Sequence, residues 1–156
     1  MTTITQPRVE TIAVLGGVVA VRVDGSQTGG EYSVLEQLLP GGLATPLHVH
    51  RREDETFLVL EGEITVYRGE EMIAATAGDF MRLPRGVPHA FRVDSEQARL
   101  IDVVTPAGHE NFFRLAGEPV EGLALPPMAG APDMERLADA AARTDLEILG
   151  PPPFGD

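Results

Sequence analysis

The chain has 156 residues, with no cysteine, no tryptophan, and 24 acidic against 12 basic residues for a formal charge of −12. That length suits one domain around one core, the charge repels nucleic-acid phosphates and anionic lipid alike, and the lack of cysteine excludes disulfides, thiolate nucleophiles and Cys-bound zinc. Any metal therefore has to be held by His, Asp or Glu. The composition, 43% hydrophobic and 23% charged, is that of an ordinary globular protein. No apolar run approaches the roughly 20 residues of a membrane-spanning helix, and MTTITQPRVE at the start has no basic segment followed by an apolar one, so a cytoplasmic location without membrane contact is expected.

From residue 11 to about residue 105 the chain alternates short β-branched and apolar runs with Gly, Pro and acidic turns, the pattern of an all-β sandwich or barrel. The strand candidates in order are TIAVLGGVVAVRV, YSVLEQLLP, TFLVLEG, EITVYRG, EMIAATAG, HAFRVD and ARLIDVVTP. Glu61-Gly62 and Arg68-Gly69 stand where hairpins would turn, and Ile64 and Val66 alternate with polar neighbours, so a meander is expected there. After Thr105-Pro106, AGHENFFRLAG suits a short helix stopped by Gly117, and PDMERLADAAART repeats Met134, Leu137, Ala138 and Ala141 at helical spacing behind Pro132 and Asp133. Pro-rich pieces, ALPPMAGAP and GPPPFGD, link and end this tail. The expected division is a β-barrel over residues 1–106 and a helical, Pro-rich tail over residues 107–156 packed on it.

Chemistry concentrates in PLHVHRREDETFLVLEGE, residues 46–63. Side chains at i and i+2 of a strand face the same way, so His48 and His50 point together and can share one cation. Glu53, Asp54 and Glu55 are all candidates for a further ligand by spacing alone. His89 follows the tight LPRGVP turn. Three imidazoles and one carboxylate would leave coordination positions open for substrate, as a catalytic site requires.

Gly42, His48, His50, Glu55 and Gly62 resemble the first motif of the cupin superfamily at every position, and Gly78, Pro84, Gly86 and His89 resemble the second, whose final Asn is Val93 here. The resemblance implies an all-β double-stranded β-helix, or jelly-roll, barrel with a short C-terminal helical extension. It also implies His48, His50, Glu55 and His89 as ligands of one divalent transition metal, whether iron, nickel, manganese, copper or zinc, with Glu53 and Asp54 as solvent-facing neighbours. His109 matches no motif and is expected to be solvated at a polar helix end.

Strand parity with the ligands puts Phe57, Val59, Phe91 and Val93 inside the barrel beside the metal, and Phe112 is a candidate to close the cavity mouth. Val93 in place of Asn makes the cavity more apolar. ETFLVLEGEITVYRGEE, AGDFMRLPRGVPHAF and the tail ending EILGPPPF resemble small cupins grouped with quercetin dioxygenases. That likeness implies a dioxygenase acting on an apolar aromatic or enolic small molecule, with Glu55 as both ligand and catalytic base. A polyketide cyclase or isomerase-type enzyme that consumes no oxygen, and a binding module without turnover, are the alternatives. A homodimer is expected, since cupins pair their sheets and Leu58 and Leu60 on the outward face need a cover.

Overall fold

The computed structural model describes residues 1–3, 8–127 and 130–155; Met128 and Ala129 of the first Pro-rich linker, and Asp156, lie outside the described residues. Among the described residues twelve strands occur in the order β1 (Glu10–Val14), β2 (Gly17–Val23), β3 (Ser33–Pro40), β4 (Leu47–His50), β5 (Asp54–Glu61), β6 (Glu63–Arg68), β7 (Glu71–Thr76), β8 (Phe80–Leu83), β9 (His89–Val93), β10 (Gln97–Thr105), β11 (Glu118–Val120) and β12 (Leu146–Gly150). Among the described residues two α-helices, α1 (His109–Ala116) and α2 (Met134–Ala142), fall after β10 and before β12, and a single 3-10 turn, Gly25–Gln27, follows β2. The strands form two antiparallel sheets, one ordered β11-β1-β2-β3-β10-β5-β8 and the other β12-β4-β9-β6-β7. The expected all-β jelly roll with a short helical C-terminal part is the fold observed.

Alternation drives the stacking of the sheets. Along β10 the residues at 98, 100, 102 and 104 are buried while their neighbours at 99, 101 and 103 are only partly so, the pattern of a strand with one face on a core. β5 alternates in the same way, with Glu55, Phe57 and Val59 inward. Inside the barrel Phe57, Val59, Ile64, Val66, Leu83, Phe91, Val93 and Leu100 form one buried cluster. A second cluster lies where α1, α2 and β12 cover the seven-stranded sheet, joining Ile12, Val19, Leu35 and Val104 to Phe112, Phe113, Leu137 and Leu146.

The structure corrects several sequence expectations. TIAVLGGVVAVRV is a hairpin: Leu15 and Gly16 both take positive φ, 53° and 84°, between paired Val14 and Gly17, as a two-residue turn matching strand twist demands. Arg68-Gly69 does begin a hairpin, with Arg68 opposite Glu71. Glu61-Gly62 does not, because β5 pairs with β10 and β8 whereas β6 pairs with β7 and β9. At Gly62, φ 85°, the chain crosses from one sheet to the other, and a Cβ there would lie 2.3 Å from the Gln97 carbonyl oxygen. In a jelly roll such crossings replace the meander that local patterning suggests.

The tail is more than helical. β11 extends the seven-stranded sheet beside β1, and β12 pairs with β4; neither strand is marked by a strong local pattern. In α2 the buried face is Leu137, Ala140 and Ala141, while Met134 is 51% exposed and Ala138 is exposed. The small alanines let the helix approach its neighbours closely, so packing rotates the buried stripe away from the longer Met134.

Candidate metal centre

The site forms where the two sheets face one another. β4 carries His48 and His50, and β9 opens with His89, whose Cα is the register partner of His48. β5, on the opposite sheet, carries Glu55. Residues 51–53 take the chain from one sheet to the other, which lets ligands only five residues apart approach a common point from two sides. One ligand atom from each of His48, His50, Glu55 and His89 lies within 4.8 Å of the others. His50, Glu55 and His89 are buried and His48 is half-buried.

Each imidazole is oriented through its Nδ1. That nitrogen of His48 is 2.7 Å from the Pro46 carbonyl oxygen, that of His89 is 3.1 Å from the Val87 carbonyl oxygen, and that of His50 is 2.8 Å from Glu53 Oε2. With Nδ1–H donating outward, Nε2 is the nitrogen each ring offers to the centre, the arrangement by which proteins fix metal-binding histidines. Glu55 Oε2 lies 2.9 Å from His89 Nε2 and 3.1 Å from His50 Nε2. His50 Nε2 is fully buried and finds no hydrogen bond of acceptable geometry. A buried nitrogen without a hydrogen bond, facing a carboxylate and two further imidazoles, fits a divalent cation.

The electrostatics point the same way. Burial, reinforced by the neighbouring His89 and His50, pushes His48 down to about 3, so it is held neutral and ready to coordinate. For His50 burial also acts downward, but the charges of Glu55 and Glu53 outweigh it and raise the group to about 10. Burial alone would raise Glu55; the surrounding imidazoles, His50 foremost, reverse this and hold it well below the ordinary carboxylate range. The site thus keeps a carboxylate ionised in the interior beside a proton-holding His50, whose proton a divalent cation would have to replace. Behind it lies Asp102, fully buried on β10, whose carboxyl is pushed well above its usual value first by burial and then by the charge of Glu55. Gln37 Nε2 donates to Asp102 Oδ2 at 3.4 Å.

Two residues expected in solvent are part of this neighbourhood. Glu53 is 6% exposed and holds His50; its place in the acidic run EDE, residues 53–55, hid a side chain that turns inward while Asp54, partly exposed, turns out to bond Arg85. His109 is also 6% exposed, because α1 lies over the cavity and carries the ring to 3.6 Å from Glu55 Oε1. No local signal separates it from a solvated helix-end histidine.

Above the four side chains opens a largely apolar cavity, whose space together with the solvent at its open mouth is about 730 Å³. Phe57, Phe91 and Phe112 are in its wall, as are Leu39, Leu43 and Phe113. Val59 and Val93, expected beside them, are not: at 0% and 1% exposure they sit one inward position further along β5 and β9, packed in the barrel core.

Fold and site together define a double-sheet barrel holding a three-histidine, one-carboxylate centre at its mouth. The family model for the cupin domain matches residues 34–104, which makes that stretch a cupin domain, and the chain resembles the quercetin dioxygenase-like cupins. It is 32% identical over 124 residues to quercetin 2,3-dioxygenase of Bacillus subtilis, covering 80% of this chain and 37% of that protein. It is 22% identical over 102 residues to quercetin 2,3-dioxygenase of Aspergillus japonicus, covering 61% and 29%. The chain thus spans only about a third of the length of these relatives. Among solved structures, a predicted oxalate decarboxylase of Thermotoga maritima superposes with a TM-score of 0.56 at 21% identity over 63% of this chain and 91% of that one. The polyketide cyclase RemF of Streptomyces resistomycificus gives 0.55 at 19% over 67% and 79%. At such identities these structures speak for the fold alone. Among the described residues no helix is long and apolar enough to cross a membrane.

Proposed function

We propose that the protein is a metal-dependent dioxygenase of the quercetinase kind, acting on a flat apolar aromatic or enolic small molecule. The observation that carries this reading is the convergence of three oriented imidazoles and an ionised, buried Glu55 beneath an aromatic-lined cavity. The likeness to the Bacillus quercetin 2,3-dioxygenase supports it. His48, His50, Glu55 and His89 would hold one divalent transition metal. When bound, the metal supplies a Lewis-acidic point for a substrate oxygen and access to dioxygen chemistry.

The chain's own residues supply the rest. Glu55 is positioned to take the proton of an acidic substrate hydroxyl at its carboxylate oxygens, a general-base role that its low affinity for protons limits to acidic enols and phenols. Phe57 and Phe91, edge-to-face with ring centres 5.5 Å apart, together with Phe112 give the substrate an apolar wall and keep water from the reacting face.

The test is metal analysis of the purified protein followed by a flavonol screen in an oxygen electrode. Close to one metal per chain and stoichiometric oxygen uptake with a flavonol are expected. Substrate loss without oxygen uptake would replace the dioxygenase reading with a non-oxidative one, such as a cyclase or isomerase. Binding without turnover would reduce the site to a binding module.

A further inference from the structure

His109 is the one site-facing imidazole for which the four-residue centre has no use. It is the first residue of α1, whose start is fixed because Glu110 accepts hydrogen bonds from Gly25 N at 3.0 Å and Gly108 N at 2.9 Å. The ring is held by packing: stacked on Phe112 at 5.5 Å, edge-on to Phe113 at 4.6 Å and edge-on to His50 at 4.6 Å. Its Nε2 lies 3.6 Å from Glu55 Oε1, longer than a hydrogen bond. Among the described residues neither ring nitrogen has a hydrogen-bond partner. A neutral imidazole offers one N–H donor and one lone pair. The ring is 6% exposed and lines the same cavity as Glu55, His48 and His89, so a ligand there can pair with it.

We propose that His109 is a substrate-positioning residue, contributed by the C-terminal helix, that hydrogen-bonds a second oxygen of the substrate on the carbon next to the one whose oxygen meets Glu55. Oxygens on neighbouring carbons of a planar ring stand about one hydrogen-bond length apart, so a pair of them can meet Glu55 Oε1 and His109 Nε2, 3.6 Å apart, one each, whereas an isolated oxygen reaches both only at an angle narrower than its hydrogen bonds prefer. His109 would thus set, within the aromatic reading above, the preference for a substrate that carries this second oxygen. The inference rests on the aromatic-substrate reading above but not on dioxygen being consumed.

The experiment uses the metal-loaded protein under argon and two bicyclic probes, 2-naphthol with one oxygen and naphthalene-2,3-diol with two, titrated by calorimetry. The wild type is expected to prefer the diol by about tenfold, the worth of one hydrogen bond. His109→Phe, which keeps the ring packing and removes both nitrogens, is expected to bring the two affinities within about twofold, and His109→Gln to restore part of the preference. Metal content and Tm should stay unchanged in both variants. An undiminished preference in His109→Phe, or none in the wild type, overturns the proposal, and loss of metal from His109→Phe would make the residue a ligand instead. Failure of the wild type to bind either probe overturns the aromatic-site reading and this inference with it. A His109-dependent preference in a protein that takes up no oxygen with any flavonol leaves the inference standing while the dioxygenase reading falls.

Discussion

Glu53 Oε2 accepts from His50 Nδ1 at 2.8 Å, and this contact decides which nitrogen His50 turns toward the centre. Both groups are buried, His50 at 1% and Glu53 at 6% exposure, so the bond is strengthened by its surroundings rather than weakened by water. Carboxylates behind metal-binding histidines fix the tautomer and raise ligand basicity. Glu53→Gln, which keeps the size and removes the charge, is therefore expected to weaken metal binding by about 10- to 100-fold. Competition with a metal-sensitive dye would check this, and unchanged affinity would show that Glu53 only fills space.

Removing the imidazoles themselves should have a larger effect. The His48→Ala, His50→Ala double variant is expected to purify without stoichiometric metal. In the wild type the metal has to displace the proton that His50 otherwise holds up to about pH 10, so its affinity should fall steadily as pH is lowered below that value, because only neutral imidazole coordinates. Elemental analysis across a pH series reads both outcomes, and full metal retention by the double variant would remove the assignment of the centre.

Gly62 marks the crossing between sheets. A side chain there would meet the Gln97 carbonyl oxygen at 2.3 Å and Ser95 Oγ at 2.6 Å, at a φ of 85° that L residues rarely take. Gly62→Ala is expected to lose about 2 kcal/mol or more. Gly78→Ala has φ 95° but nothing within 4 Å of the added carbon, so it should lose only the backbone part, about 1 kcal/mol. Urea unfolding of the two variants gives the comparison, and equal losses would show that the close approach at Gly62 does not matter.

Acid stability should report on the contact between α1 and the chain after β2. Asp24 is held down from 3.8 to about 2, first by the hydrogen bond from Arg114 and then by the Ser26 backbone N–H. Its value in the folded state lies below that in the unfolded chain, so its contribution is present above pH 3.8 and is lost as pH falls through about 2. Both side chains stay partly in water, 25% and 33% exposed, which limits the contribution to about 1 kcal/mol. Asp24→Asn should show that deficit at pH 7, with the gap to the wild type closing between pH 3.8 and about 2. A gap independent of pH would assign the effect to packing.

Self-association is the remaining expectation. Leu60 on β5 and Phe80 on neighbouring β8 are 38% and 69% exposed, large apolar side chains at one end of the seven-stranded sheet that water covers poorly. Light scattering at micromolar concentration is expected to give twice the 16.7 kDa chain mass. A monomer mass, or a dimer undisturbed by Phe80→Ser, would remove this sheet end as the contact.

Period-two alternation in the β5 and β10 segments was legible in the sequence because each strand buries one face and wets the other, and this is written residue by residue. His48 and His50 were legible as a pair for the same reason, while Glu55, among three acidic candidates, and His89 were singled out only by the resemblance of the surrounding glycines, prolines and histidines to the cupin motifs. Both C-terminal helices were also visible from their apolar spacing and from the Asp133 cap and Gly117 stop.

Tertiary structure alone decided the remainder. That Glu61-Gly62 is a crossing and not a hairpin depends on which strands have free edges when the sheets assemble, and the two residues themselves carry no trace of it. Whether Glu53 or Asp54 turns inward depends on the path of residues 51–53 between the sheets, since three consecutive acidic residues look alike in composition. His109 reaches Glu55 across 54 positions of chain only because α1 is folded back over the barrel mouth by the burial of Phe112 and Phe113. Local preference is set by a few neighbouring residues, whereas a site is set by surfaces meeting from distant parts of the chain, and hydrophobic burial, being non-directional, leaves no mark in either segment of which partner it will find.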